Sequence, residues 1–246
     1  MQLKLQQAIA QRKALKVISG LNNFNVENVT NVVKAAEIGG ATFVDIAADP
    51  DLVHQVRQII SLPICVSAVE PELLLKAVEA GADLVEIGNF DSFYAQGRRF
   101  EAPEVLALTQ QTRALMPEIT LSVTVPHILP LDEQVELAEA LVNAGADLIQ
   151  TEGGTSSQPK NAGTLGLIEK AAPTLAAAYS ISRAVKVPVL CASGLSSVTI
   201  PMAIASGASG VGVGSAINQL NDPIAMIAGV RSLVEALENS SVTVRG

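Results

Sequence analysis

Short, nearly continuous apolar runs recur along this chain. Each is followed by a longer stretch whose apolar positions return every three or four residues. The first kind of run reads as a buried strand, the second as an amphipathic helix packed on it. The runs fall at 15–19 (LKVIS), 42–48, 63–68 (PICVSA), 83–89 (DLVEIGN), 119–125 (ITLSVTV), 147–152, 188–193 (PVLCAS) and 210–214. Helical stretches lie at 26–38, 50–60, 71–80, 103–116, 131–144, from 163 to about 185 (one long helix or a pair), 198–206 and 222–237. A short amphipathic helix at 1–11 precedes the first strand. Strict alternation calls for parallel strands joined by right-handed crossovers. Eight such units in 246 residues predict an α/β fold, a closed (β/α)8 TIM barrel occupying 1–246 as one domain. A doubly wound open sheet is the alternative.

Four helices end in Gly-Ala with a strand directly after: Gly40-Ala41, Gly81-Ala82, Gly145-Ala146 and Gly207-Ala208. A glycine there can take the left-handed conformation that stops a helix. Aligning the copies sets Asp45, Glu86, Gln150 and Gly212 in one column, and Ala47, Gly88, Glu152 and Gly214 in another two residues on. Side chains alternate along a strand, so both columns share a face. The intervening Val44, Val85, Ile149 and Val211 suit packing against helices, which turns the polar column into the barrel. The second column then lies nearer the C-terminal mouth, where barrel enzymes carry out their chemistry.

Asp45, Glu86 and Glu152 are therefore inward acids, and a carboxylate in a closed interior needs a cation or a proton. Lys16 is the nearest candidate cation. If Lys16, Ile18 and Gly20 face inward, its ammonium meets Asp45 on the adjacent strand. A buried lysine could transfer protons or form a Schiff base. A structural ion-paired layer, or an exposed lysine on the barrel floor, accounts for the same pattern. Ser122 and Thr124 are inward candidates on the fifth strand, and His127 stands just beyond its end. Lys16, Asp45, Glu86, Glu152 and His127 are thus the candidate catalytic residues. Replacing Glu152 by Gln is expected to remove activity and leave the melting temperature nearly unchanged. His54 sits on a helix and is expected in solvent, and 90–103 (FDSFYAQGRRFEAP) is long and polar for a connecting loop.

Residues 203–220 (AIASGASGVGVGSAINQL) join a helix end, a strand with glycine at 210, 212 and 214, and a new helical turn opening at Ser215. Glycine in a strand forfeits packing area and conformational entropy. Either something approaches that backbone closely, or a tapering barrel has room for nothing larger. Amides at a helix start favour an anion, commonly phosphate. The seventh strand likewise ends in Ser193-Gly194, with Ser196 and Ser197 as capping residues, and barrels often bind phosphate in the loops after strands seven and eight. The sixth strand runs out into TEGGTSSQPKNAG, where Gly153 and Gly154 lead to a loop carrying Lys160 in the form of a lid or clamp. Ser193, Gly194, Gly214, Ser215, Gly153 and Gly154 are the candidate phosphate-binding residues, with amides near Ser196 and Ser215 as donors. A positive φ at Gly214 would make that glycine obligatory.

Hydrophobic residues at 49% against 16% charged provide for a large core, and 3% aromatics make it aliphatic. The net charge of -8 argues against nucleic acid or an anionic membrane as partner. No apolar run reaches the roughly 18 residues of a membrane span. No N-terminal signal, Cys/His metal cluster, Walker A pattern or Ser-His-Asp arrangement is legible. Cys65 and Cys191 lie in apolar runs and are expected as buried thiols of a reducing, cytoplasmic compartment.

The segments KVISGLNNF, TEGG, IEKAAPTLAAAY, CASGLSS and GVGVGSAI together resemble the hypothetical chloroplast reading frame twenty-three family of cyanobacteria and algal plastids, over essentially the whole chain. The resemblance implies the plastid stroma as a second location and brings no assigned activity. More distantly, the last two motifs are similar to ribulose-phosphate-binding barrels, thiazole synthase and FMN-dependent barrel enzymes. These imply phosphate binding at Ser193-Gly194 and Gly214-Ser215 and transfer no catalytic residue: nothing here, Lys16 included, matches the Schiff-base lysine motif of thiazole synthase or aldolases. The expected function is to bind a small phosphorylated ligand at the mouth, with acid–base chemistry of isomerase, epimerase or lyase type. An FMN-binding oxidoreductase and a non-catalytic regulator that binds a phosphorylated metabolite are the alternatives. A homo-oligomer is compatible with either.

Overall fold

A computed structural model describes residues 3–153 and 157–240. The elements in order are α1 (Leu3–Ala10), β1 (Ala14–Gly20), α2 (Val26–Gly39), β2 (Phe43–Ala47), α3 (Pro50–Arg57), β3 (Ile64–Ala68), α4 (Pro71–Glu79) and β4 (Leu84–Ile87). There follow α5 (Asp91–Tyr94), α6 (Ala102–Leu115), β5 (Thr120–Thr124), α7 (Leu131–Asn143), β6 (Leu148–Gln150), α8 (Gly163–Ala184) and β7 (Val189–Ala192). The chain closes with α9 (Ile200–Ala205), β8 (Gly210–Val213), α10 (Ser215–Asn218) and α11 (Pro223–Glu238). The strands form a closed barrel in sequence order, parallel throughout, with β8 returning to β1 through Lys16 opposite Gly212. This is the (β/α)8 barrel that the pattern predicts. Two segments differ from expectation. The polar stretch after β4 contains the short helix α5, and β6 stops at Gln150, so Thr151 and Glu152 lie beyond it.

The Gly-Ala dipeptides act as helix stops. Gly40, Gly81, Gly145 and Gly207 have φ of 91°, 111°, 102° and 114°, the left-handed conformation that costs glycine nothing. Each following alanine donates its amide back five residues, Ala41 to Ala36, Ala82 to Ala77, Ala146 to Leu141 and Ala208 to Ala203, at 2.9–3.2 Å. These bonds satisfy carbonyls that a helix end otherwise leaves open. The same turn aims each strand into the barrel in the same phase, which is why the aligned columns share a face.

The interior is stacked in layers. At the bottom Ala14, Phe43, Cys65, Leu84, Leu148 and Leu190 pack together, sealed by Leu5 and Ile9 of α1. The N-terminal helix is thus a plug. Val44, Val85, Ile149 and Val211 face the helices and are fully buried. Both cysteines are buried and free. His54 is exposed.

Above the plug lies a polar layer built on Lys16, which is completely buried. Its ammonium donates to Glu86 Oε2 at 2.7 Å and Gln150 Oε1 at 3.1 Å and stands 3.3 Å from Asp45 Oδ2. Ser122 donates to Glu86 Oε2 at 2.7 Å, Gln150 Nε2 to Glu86 Oε1 at 2.7 Å, and Ser67 to Asp45 Oδ1 at 2.6 Å. Burial alone would lower the lysine pKa, but the charges of Asp45 and Glu86 more than offset it and hold it above its usual value. Burial pushes Asp45 up to about 6, against the pull of Lys16.

Two outcomes follow for this layer. Lys16→Met leaves two buried carboxylates without their cation and should cost about 3–5 kcal/mol in urea unfolding at neutral pH; a loss under about 1 kcal/mol would show the network to be dispensable. Asp45 titrates higher folded than unfolded, so the native state binds the extra proton between about pH 4 and 6. Its contribution to stability is complete below about pH 4 and declines as the pH rises to about 6. Unfolding free energies of wild type minus Asp45→Asn should shrink over that window, and a difference that ignores pH would contradict the assignment.

Candidate functional site

A cavity of about 200 Å³ opens at the C-terminal end of the barrel. One wall comes from Ser193 and Gly194 after β7 and from Gly214 and Ser215 after β8. The lining also includes Ile18 and Ala192 and, after β4, Asn89, Asp91 and Ser92. Ser193 at φ 75° and Asn89 at φ 24° are non-glycine residues in left-handed conformations, a strain that cavities for ligands commonly hold. The first bond of α10 runs from Ile217 N–H to Gly214 O at 2.9 Å, so the amides of Ser215 and Ala216 precede any acceptor within that helix.

The three glycines of β8 have different roles. A Cβ on Gly210 would stand 2.6 Å from Ala14 O, and one on Gly212 would stand 2.8 Å from the Ala192 Cβ. These two are packing glycines of a crowded barrel. Gly214 has φ of -115°, so no left-handed conformation requires it there. Its Cβ would meet Ile18 O at 3.3 Å, at the cavity wall. The amide of Ser196 is also not available as expected, because it donates to Thr199 Oγ1 at 2.9 Å.

Beside the cavity stands a second polar group. Glu152 Oε1 accepts from the Tyr94 hydroxyl at 2.5 Å and the His127 amide at 3.1 Å, and lies 3.2 Å from His127 Nδ1. Its Oε2 accepts from the Asp91 amide at 3.2 Å. His127 Nδ1 is 3.4 Å from Asp91 Oδ1, and Ser193 donates to Asp91 Oδ2 at 2.9 Å. The Tyr94 and His127 rings meet edge to face at 5.2 Å. Burial raises the Glu152 pKa, opposed by hydrogen bonds from His127 and Tyr94. Burial opposes the His127 shift, yet its bond to Glu152 and the charges of Glu152 and Asp91 raise it. Burial and the Glu152 charge push the Tyr94 hydroxyl far up.

The candidate residues from the sequence thus separate into groups. Ser193, Gly194, Gly214 and Ser215 line the cavity. Glu152 and His127 meet one layer behind its Asp91 wall. Lys16, Asp45 and Glu86 lie in the sealed polar layer and are absent from the cavity wall. Gly153 is elsewhere too: at φ 138° it passes close under Pro173, where a Cβ would stand 3.0 Å from the proline Cβ. Gly154 lies outside the described residues. Lys160 is exposed, with its amide bonded to Glu169 Oε2 at 2.8 Å. The sequence reading missed Asp91, Tyr94 and Asn89. Their one signal was position, directly past the C-terminal end of a barrel strand.

Among known families, the one described as "Protein of unknown function (DUF561)" matches residues 1–243. The chain belongs to the DUF561 family. Its relatives include "Uncharacterized protein ycf23" of Cyanophora paradoxa, 46% identical over 240 residues, covering 97% of this chain and 98% of that one. The protein of the same description from Pyropia yezoensis is 42% identical over 227 residues, covering 92% and 83%. The DUF561 fold is similar to that of solved barrels. One is the (S)-3-O-geranylgeranylglyceryl phosphate synthase of Thermoplasma acidophilum, in complex with its substrate sn-glycerol-1-phosphate (TM-score 0.65, 13% identity, 97% of this chain and 100% of that one). Another is the thiamine phosphate pyrophosphorylase of Pyrococcus furiosus (TM-score 0.61, 19% identity, 94% and 98%). No helix among the described residues is long and apolar enough to cross a membrane.

The four contacts at Glu152 revise one expectation for this DUF561 chain. A glutamine there presents an NH2 where a carboxylate oxygen now accepts, setting donor against donor. Glu152→Gln should therefore lose about 1–3 kcal/mol in urea unfolding, with a lower melting temperature. Unchanged stability would mean these bonds are not formed in solution.

Proposed function

We propose that this protein binds a small phosphorylated metabolite in the C-terminal mouth of the barrel and transfers a proton on it, as an isomerase, epimerase or lyase does. The observation that carries this reading is the wall formed by Ser193-Gly194 and Gly214-Ser215. The backbone comes to the surface there without side chains in the way, after the two strands where barrels place phosphate. The amides that open α10 supply donors. A synthase of the same fold binds sn-glycerol-1-phosphate, which supports a ligand of that size. So does the volume: about 200 Å³ is below the roughly 300–1,000 Å³ of sites for drug-sized ligands, which favours a small metabolite over a flavin nucleotide.

Asp91 is the cavity's carboxylate and meets the ligand's reacting end. One of its oxygens takes the Ser193 hydroxyl, and the other faces His127. Asp91 Oδ2, which accepts the Ser193 hydroxyl, keeps a lone pair that can accept a proton from carbon or hydroxyl and return it elsewhere on the ligand. Asn89 and Ser92 beside it offer amide and hydroxyl groups to neighbouring ligand oxygens.

Calorimetric titration with inorganic phosphate, glycerol phosphates and sugar phosphates tests the site. Since φ at Gly214 suits other residues, Gly214→Val should fold, as circular dichroism would show, while its methyl groups fill the cavity and abolish binding. Ser215→Ala loses one neutral hydroxyl bond and keeps the amides, so it should weaken binding by about 1 kcal/mol. A folded Gly214→Val protein with wild-type affinity would remove the phosphate reading.

A further inference from the structure

A carboxylate oxygen of Asp91, a ring nitrogen of His127 and a carboxylate oxygen of Glu152 all lie within 4.8 Å of one another. They arrive from three parts of the barrel: the start of α5, the chain after β5 and the chain after β6. Nδ1 is 3.2 Å from Glu152 Oε1 and 3.4 Å from Asp91 Oδ1. Ligand atoms at about 2.0–2.2 Å from one ion stand roughly 3–3.5 Å apart, so these spacings suit a single coordination shell.

Asp91 supplies an independent observation. Its side chain is only 4% exposed, yet Oδ1 is buried and accepts no hydrogen bond. A buried carboxylate oxygen with no donor is costly, and this one points at His127 and Glu152. The Ser193 hydroxyl satisfies only the other oxygen. Among the described residues lining the cavity there is no lysine or arginine, and Asp91 is the charged one. A phosphate entering there would meet a negative wall.

We propose that Asp91 Oδ1, His127 Nδ1 and Glu152 bind one divalent transition-metal ion of the Mn²⁺ or Zn²⁺ class. Imidazole and carboxylate donors together suit such ions. The imidazole binds as the tautomer with its proton on Nε2, giving up the Nδ1 contact with Glu152. The Tyr94 hydroxyl and the His127 amide, already bonded to Glu152, hold that carboxylate in place from outside the shell. The ion offsets the charge of Asp91 and so strengthens phosphate binding; this coupling rests on the phosphate reading above, whereas the ion site does not.

The full chain, stripped with chelator and dialysed, is titrated with Mn²⁺ followed by electron paramagnetic resonance and with Zn²⁺ by calorimetry. One ion per chain is expected. Asp91→Asn and His127→Gln, each shown folded by circular dichroism, should weaken it by about tenfold or more. Two variants guard against either one failing to fold. Inorganic phosphate is then titrated with and without Mn²⁺, and tighter binding with the ion is expected. Absence of stoichiometric binding, or wild-type affinity in both folded variants, overturns the ion site, and phosphate binding to the ion-free protein would then leave the phosphate reading standing. Ion binding lost in the variants, with no phosphate binding under any condition, supports the ion site and removes the phosphate reading instead.

Discussion

A fully buried lysine is the constraint on which this barrel depends. Lys16 brings one positive charge into an interior otherwise filled by aliphatic side chains, and Asp45 and Glu86 bring two negative ones. Charges removed from water are tolerable only when paired and hydrogen-bonded. Every polar neighbour in the layer serves that end: Ser67 on Asp45, Ser122 on Glu86, and Gln150 bridging Lys16 and Glu86. These groups belong to β1, β2, β3, β4, β5 and β6. The layer therefore fixes the mutual register of six strands, because a slip of one residue would turn a charge towards the helices. The remaining strands meet this layer with Ala192 and Gly212, and a Cβ on Gly212 would run into Ala192, Ile18 and the Gln150 side chain.

The polar layer also divides the interior into a floor and a mouth. Below it, α1 closes the barrel with Leu5 and Ile9. Above it, side chains two residues further along the strands are freed from holding the fold together. There the chain places groups whose arrangement costs stability without repaying it locally: an orphaned carboxylate oxygen at Asp91, and left-handed backbone at Asn89 and Ser193. Left-handed backbone at the C-terminal mouth, above an ion-paired layer in the middle, fits the general division of such barrels between a lower half that provides stability and an upper half that carries sites.

How much of this could be read from the sequence follows from which interactions are local. The Gly-Ala stops are, and aligning them gave the phase of β2, β4, β6 and β8, hence the inward polar column; Lys16 on β1 lies outside that alignment, and its pairing with Asp45 followed only on the condition that it faces inward. Glu86, closer still to Lys16 at 2.7 Å, lies 70 residues away, and nothing in spacing shows that approach. Asp91 and Tyr94 escaped for a related reason. Their segment has no periodicity to mark a helix, since α5 spans just Asp91–Tyr94, and its value lies in contacts with the sequence-distant His127, Glu152 and Ser193. The glycines of β8 were legible as a need for close approach, but not which approach: for Gly210 and Gly212 the neighbour is the barrel itself, and only Gly214 borders the cavity.

One turn links the two halves. Glu86 ends its inward role in the polar layer, and Gly88 follows on the same face. A Cβ there would stand 2.5 Å from Thr124, and φ is 131°, so both space and conformation demand glycine. The bend it permits passes through Asn89 and starts α5, which carries Asp91 back across the barrel mouth until its amide meets Glu152 and its carboxylate meets His127 and Ser193. The strand that anchors the buried lysine is therefore the strand that aims the cavity's carboxylate. Because Glu86 is locked by donors from three other strands, the start of this turn is fixed to the buried polar layer. A side chain placed by such a short, glycine-directed bend from a rigid strand keeps its position without the support of a long helix, which is what a preorganised site requires.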